Sequence, residues 1–186
     1  MLYIISGASR SGKSMIAKQI LNNHNIPFLP LDSVMMAFMN GVEDSGIHDK
    51  LWPDVIATKL WGFIKAFCES VIHSDIDYLI EGEAFLPSLL QELLIKYPNQ
   101  IKICFLGYTK ISLVAKYNDI LKHATKHDWL VQESDESIKQ HIKNMISYSK
   151  TIQQECEKYN MKYFDTSSSF LSTLQQAETY LIGTMT

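Results

Sequence analysis

Arginine is almost missing from this chain: of its 17 lysines and arginines, Arg10 alone is an arginine. With no Lys/Arg run and a formal net charge of -3, neither nucleic acid nor an anionic membrane is an expected partner. Cysteine is scarce as well. Cys68, Cys104 and Cys156 are odd in number, widely spaced and without metal-type pairing, which argues against a disulfide framework and suits free thiols in a reducing cytosol. Cys104, inside the apolar run IKICFL, is expected to pack as a small hydrophobe. Long apolar runs are lacking too. Only MLYII precedes the first polar loop, far short of a signal peptide's apolar region or a membrane span, so a soluble, cytoplasmic protein is expected. No repeat, low-complexity tract or Pro/Gly-rich linker divides the 186 residues, which read as one domain.

What is present is ample apolar content, 46% of residues, enough to bury a core without disulfides or metal. Short apolar runs alternate with longer amphipathic stretches, the pattern of an α/β fold with a mostly parallel, buried sheet. Strands are expected at 2–6, 27–31, 78–82, 101–107 and 161–165. Helices are expected at 13–22, 33–39, 54–73, 87–96, 111–123, 135–160 and 170–182, giving three α/β/α layers around a five-stranded sheet. Ser134, Asp135 and Ser137 supply a helix start signal, and Ser167 to Ser169 another. Two irregular stretches, 40–53 and 125–133, interrupt the alternation where substrate contacts and lids usually sit. They suggest a substrate-side region over about 40–73 and a lid over about 108–135.

The sharpest signal is GASRSGKS: Gly7, Ala8, Ser9, Arg10, Ser11, Gly12, Lys13 and Ser14 match G-x-x-x-x-G-K-[ST] in full. Gly7 and Gly12 permit backbone geometry in which successive N–H groups face phosphate oxygens, and the following helix adds its positive dipole end. Lys13 supplies a cation for β and γ phosphates, and the Ser14 hydroxyl a hard oxygen ligand for Mg2+. An apolar strand runs into the motif and an amphipathic helix runs out, so a chance Gly/Ser turn is disfavoured.

On GASRSGKS, on Asp32 in LPLDS after the second strand, and on LIEGEAFLP after the third, the chain resembles the small P-loop kinases. These are the P-loop NTPases grouped around nucleoside monophosphate, shikimate and gluconate kinases. The resemblance implies ATP with Mg2+ as phosphate donor and a small-molecule hydroxyl or phosphate as acceptor, with no obligate protein partner. Asp32, Glu81 and Glu83 stand near carboxyl ends of strands, where ligands collect in open α/β sheets. Asp32 is the first candidate to orient or deprotonate an attacking hydroxyl, with a helix N-cap role as its structural alternative. Glu81 is placed to accept a water of the magnesium shell and Glu83 to touch substrate or metal, although each could be a solvated turn carboxylate. Gly82 between them is expected to admit substrate closely. The resemblance also places Thr166 and Ser167 near the adenine.

Elsewhere the bland reading is the stronger one. Trp61, Phe63 and Phe67 form an aromatic stripe expected in the core, while Trp52, in the irregular region, is the candidate for stacking on a flat substrate. His123 and His127 have helical metal spacing without a third ligand, and read as solvated surface. Lid arginines, which many such kinases use on the transition state, are missing. Their charge falls to Lys116, Lys122, Lys126, His127 or Arg10 itself, and lysine lacks the planar fork. That shortage keeps a second function open, a nucleotide-binding regulatory ATPase or switch acting on a protein partner.

Overall fold

The computed structural model describes residues 1–126 and 128–183. Its central strand β1 (Leu2–Gly7) is buried along its whole length, and alternate side chains go to opposite faces. Leu2 and Ile4 join one core cluster, Tyr3 and Ile5 another. That two-sided burial follows from the period-2 geometry of a strand covered by helices on both faces.

The other strands are β2 (Phe28–Pro30), β3 (Tyr78–Glu81), β4 (Ile101–Gly107) and β5 (Lys162–Asp165). All pairings are parallel and the order is β2-β3-β1-β4-β5. Helices α1 (Lys13–His24) and α7 (Phe170–Ile182) cover one face, through Ile16, Ile20, Leu174 and Leu181. On the other face lie α2 (Leu31–Gly41), α3 (Pro53–His73), α4 (Pro87–Lys96) and the C-terminal half of α6 (Asp135–Lys158), through residues such as Leu31, Ile64, Leu90 and Ile152. This is the expected three-layer α/β/α arrangement with five strands.

Element ends differ in one place that matters for the site. Asp32 is not the cap of its helix: α2 begins at Leu31, with Pro30 at the N-cap and Asp32 inside the first turn. Proline ends the strand because it has no N–H to donate, and the chain turns at once into a helix. Gly82, just after β3, is packed against that turn. A Cβ there would lie 2.6 Å from Leu31 Cβ, so the glycine lets the start of α2 sit against the end of β3.

The region between β4 and β5 carries α5 (Leu113–His123), a short 3-10 helix (Trp129–Gln132) and α6. Ser112 and Ser134 cap α5 and α6 by accepting from Ala115 N–H and Ser137 N–H. Ile120, Leu130, Ile138 and Ile142 form a small core of their own, so this segment packs as a unit above the sheet. Of the aromatic stripe on α3, Trp61 and Phe67 pack against the main core. Phe63 is exposed, stacked beside Phe67 and edge-on to Phe38.

Candidate active site

The loop from Gly7 to Ser14 lies between β1 and α1, and its backbone is set by positive φ angles at Gly7 (118°), Arg10 (58°) and Gly12 (101°). At Gly7 a Cβ would come within 1.8 Å of the Leu106 carbonyl oxygen, so no other residue fits. Ala8 N–H donates to Leu106 O, and Tyr108 OH donates to Ser9 O at 2.7 Å, which ties the loop to β4 and the residue beyond it. Ser11 Oγ is buried with no hydrogen-bond partner among the described residues. An orphaned hydroxyl inside a glycine-framed loop at a helix N-terminus fits a loop shaped for an anion.

Lys13 is buried along its stem, donates from Nζ to Ala8 O at 2.7 Å and sits 3.7 Å from Glu83 Oε1. Ser14 Oγ donates to Glu81 Oε1 at 3.0 Å. The two glutamates after β3 therefore divide the loop between them, Glu81 with the hydroxyl and Glu83 with the ammonium. Burial pushes both carboxyls above the ordinary glutamate range, against the opposing pull of Lys13. The Ser14–Glu81 pair is a set of hard oxygen donors of the kind magnesium takes. No group of three or more His, Cys, Asp or Glu among the described residues could hold a metal unaided.

Arg10 reaches across to the 3-10 helix. Its guanidinium donates to both carboxylate oxygens of Asp128, Nη1 to Oδ2 at 2.7 Å and Nη2 to Oδ1 at 2.5 Å, and holds that carboxyl below the usual aspartate range. Asp128 at the same time caps the 3-10 helix, accepting from Leu130 N–H. Of the lid cations expected to replace arginine, Lys116 alone among the described residues bonds to the loop. It is 3% exposed, donates to Arg10 O at 3.0 Å and to Asp119 at 3.3 Å, and lies 4.3 Å above the Tyr108 ring. Burial lowers its basicity. Lys122, Lys126 and His123 are on the surface, His123 beside Asp119, and His127 lies outside the described residues.

Two cavities open on either side of the loop. One, of about 550 Å³, is lined by Ser9, Asp32, Glu83 and Trp52, with Trp129 from the 3-10 helix and His141 from α6. The other, of about 730 Å³, takes in Gly12, Lys13, Ser14, Thr166, Ser167 and Phe170. Thr166 and Ser167 thus share a cavity with the loop, held there by Thr166 N–H and Oγ1 donating to Gly107 O and by Asp165, which accepts from Ser167 N–H and Thr109 Oγ1. Asp32, Glu83 and Trp52 share the opposite one. Trp129 and His141 went unforeseen. The 3-10 helix gave no periodic signal, and His141 sits in a helix whose apolar spacing tells only which side is buried. Its Nε2 is buried without a partner among the described residues, and burial with Arg10 nearby lowers its pKa.

The sequence matches no family model, and no curated protein matches it. Similarity lies in structure. A gluconokinase from Sinorhizobium meliloti 1021 superposes with a TM-score of 0.58 at 17% identity, covering 96% of this chain and 90% of that one. A shikimate kinase from Bacteroides thetaiotaomicron gives 0.56 at 13% identity, covering 96% of each chain. A Bacillus subtilis protein solved in complex with phosphorylated GDP gives 0.53 at 9% identity, over 95% of this chain and 93% of that one. The chain shares the α/β fold of these proteins over at least 95% of its length.

Proposed function

We propose that the protein is an ATP-dependent phosphotransferase acting on a small-molecule acceptor. The observation that carries this reading is the loop's position between two cavities, one with Thr166 and Ser167 and one with Asp32 and Glu83. A protein that only binds nucleotide needs the first. A kinase needs both, with the γ phosphate between them.

The residues divide the work accordingly. Loop N–H groups from Ser9 to Ser14 and the dipole of α1 hold the β and γ phosphates, and Lys13 exchanges its contact with Ala8 O for phosphate oxygen. Magnesium bound with the nucleotide supplies charge neutralisation, and Ser14 and Glu81 are the residues that would hold it. Asp32 lines the acceptor cavity and is exposed to it, whereas Glu83 is already engaged by Lys13, so Asp32 is the general base. The acceptor hydroxyl oxygen attacks the γ phosphorus while the bond from that phosphorus to the β,γ-bridging oxygen breaks. The bridging electrons leave with ADP, and the hydroxyl proton passes to Asp32 and then to solvent.

The gluconokinase and shikimate kinase among the structural neighbours support the reaction class, not the acceptor. A coupled ADP-release assay over nucleosides, sugars, amino alcohols, hydroxy acids and nucleotides tests the reading. Acceptor-stimulated turnover that Asp32→Asn lowers at least 100-fold is expected. ATP binding without stimulation by any acceptor would remove it. The pairing of Arg10 with Asp128 favours one competitor, a switch with slow intrinsic hydrolysis, because the guanidinium is directed at the 3-10 helix. Hydrolysis stimulated by a protein partner and by no small molecule would mark that alternative.

A further inference from the structure

The charges and rings around the acceptor cavity say more about the acceptor than the phosphate side does. Asp32 arrives from the first turn of α2, Asp49 from the irregular stretch before α3, and Glu83 from the turn after β3. Against these three carboxylates the cavity presents, among the described residues, one lysine, Lys50. Burial disfavours the charged form of His141. The single guanidinium that could grip a carboxylate or phosphate in a planar fork is Arg10, and both of its terminal nitrogens are on Asp128. Lys13 neutralises Glu83 only until phosphate claims it, after which the cavity is more negative still. Clefts lined by one sign of charge concentrate ligands of the other sign and repel their own.

The apolar part of the lining has an equally definite character. Trp52 and Trp129 line the cavity from separate elements, one at the N-cap of α3 and one on the 3-10 helix, and are 53% and 58% exposed. Met35 and Met36 add to the apolar lining from α2. Two indoles left open to solvent at a cavity suit a flat ring or a cation over their faces, and methionines adapt to its outline. The buried Nε2 of His141, without a partner among the described residues, adds one polar atom for a ligand group.

We infer that the acceptor is a flat-ringed alcohol or amino alcohol, uncharged or cationic, and not a hydroxy acid or a phosphate ester. This rests on the kinase reading above and narrows it. The transferred group and its balance are unchanged: the alcohol oxygen gains the phosphoryl group, its proton goes to Asp32, and ADP leaves with the bridging oxygen.

Matched acceptors test it, each a phenyl ring on a hydroxylated three-carbon chain ending in an amine, an alcohol or a carboxylate. ADP release is measured for each, alongside quenching of tryptophan fluorescence. The amine and alcohol are expected to give kcat/KM at least 10-fold above the acid. Trp129→Leu should raise their KM about 10-fold with KM for ATP unchanged, and Asp49→Lys should reduce the preference for the amine over the acid by a similar factor. Preference for the acid, or indifference to charge, overturns the inference and leaves the kinase reading standing. If ATP binds but none of these, nor any member of the broader panel, stimulates turnover, the kinase reading fails and takes this inference with it.

Discussion

Arg10 joins two parts of the protein that lie 118 residues apart, its backbone in the phosphate loop and its guanidinium on Asp128. The bidentate geometry is strong, but a quarter of the arginine side chain is exposed, so solvent screening limits what the pair contributes. Replacing Asp128 by Asn should cost about 1 kcal/mol in urea unfolding at pH 7. Because the folded-state pKa of Asp128 is depressed, that contribution is complete above the unfolded value and fades as pH falls through the folded one. The difference between wild type and Asp128→Asn should accordingly shrink below about pH 4, a midpoint comparison that would also expose a purely structural effect of the substitution.

Glu83 carries the opposite sign. Its carboxyl is raised by burial, so the folded protein binds that proton more tightly than the unfolded chain, and stability is lost as pH rises from the unfolded to the folded pKa. The fold therefore disfavours the ionised form of this carboxyl, and the pull of Lys13 offsets part of that cost. Glu83→Gln should raise Tm by about 2–4 °C while lowering turnover, a trade measured by thermal unfolding and steady-state assay on the same preparation. At this scale the sequence made the loop legible residue by residue, since its requirements are local. It left open whether Asp32 and Glu83 would face one cavity or two.

Among the elements, the junction of β3 with α2 is the tightest. Gly82→Ala would put a methyl group 2.6 Å from Leu31 Cβ, and neither the strand end nor the first helical turn can retreat cheaply. We expect a loss of about 1–3 kcal/mol, as for other overpacked sites, together with a fall in kcat from displacement of Asp32. KM for ATP should rise as well, since Gly82 stands between Glu81 and Glu83, which hold Ser14 and Lys13 of the loop. A KM for ATP left at the wild-type value would mean that the disturbance is confined to α2. Helices α3, α4 and α7 were readable almost to the residue, because long amphipathic periodicity and an N-terminal proline or serine mark them. The start of α2 was not, because PFLPL reads as one apolar run and nothing local shows that Leu31 turns under Gly82.

For the whole molecule, burial of the three cysteines gives a global probe. Each lies in a core cluster and burial pushes all three thiols up, Cys68 and Cys156 to about 12. A thiol reagent at pH 8 should modify them only at the rate of unfolding, so all three should react together and nucleotide should slow them together. One thiol reacting far ahead of the rest would reveal a part of the sheet that opens by itself. No helix among the described residues is long and apolar enough to cross a membrane.

By itself the sequence determined the α/β class, the five strands and the phosphate loop. Each is a local matter: alternation of apolar residues sets strands and helices, and eight adjacent residues make the loop. Tertiary structure alone decided what meets across that loop. Asp32, Glu83, Trp52, Trp129 and His141 come from five separate segments and converge because parallel crossovers set the strands in the order β2-β3-β1-β4-β5. Periodicity says which face of a segment is buried and is silent on what covers it. The acidity of the cavity, its two open indoles and the capture of the one guanidinium by Asp128 all depend on that covering.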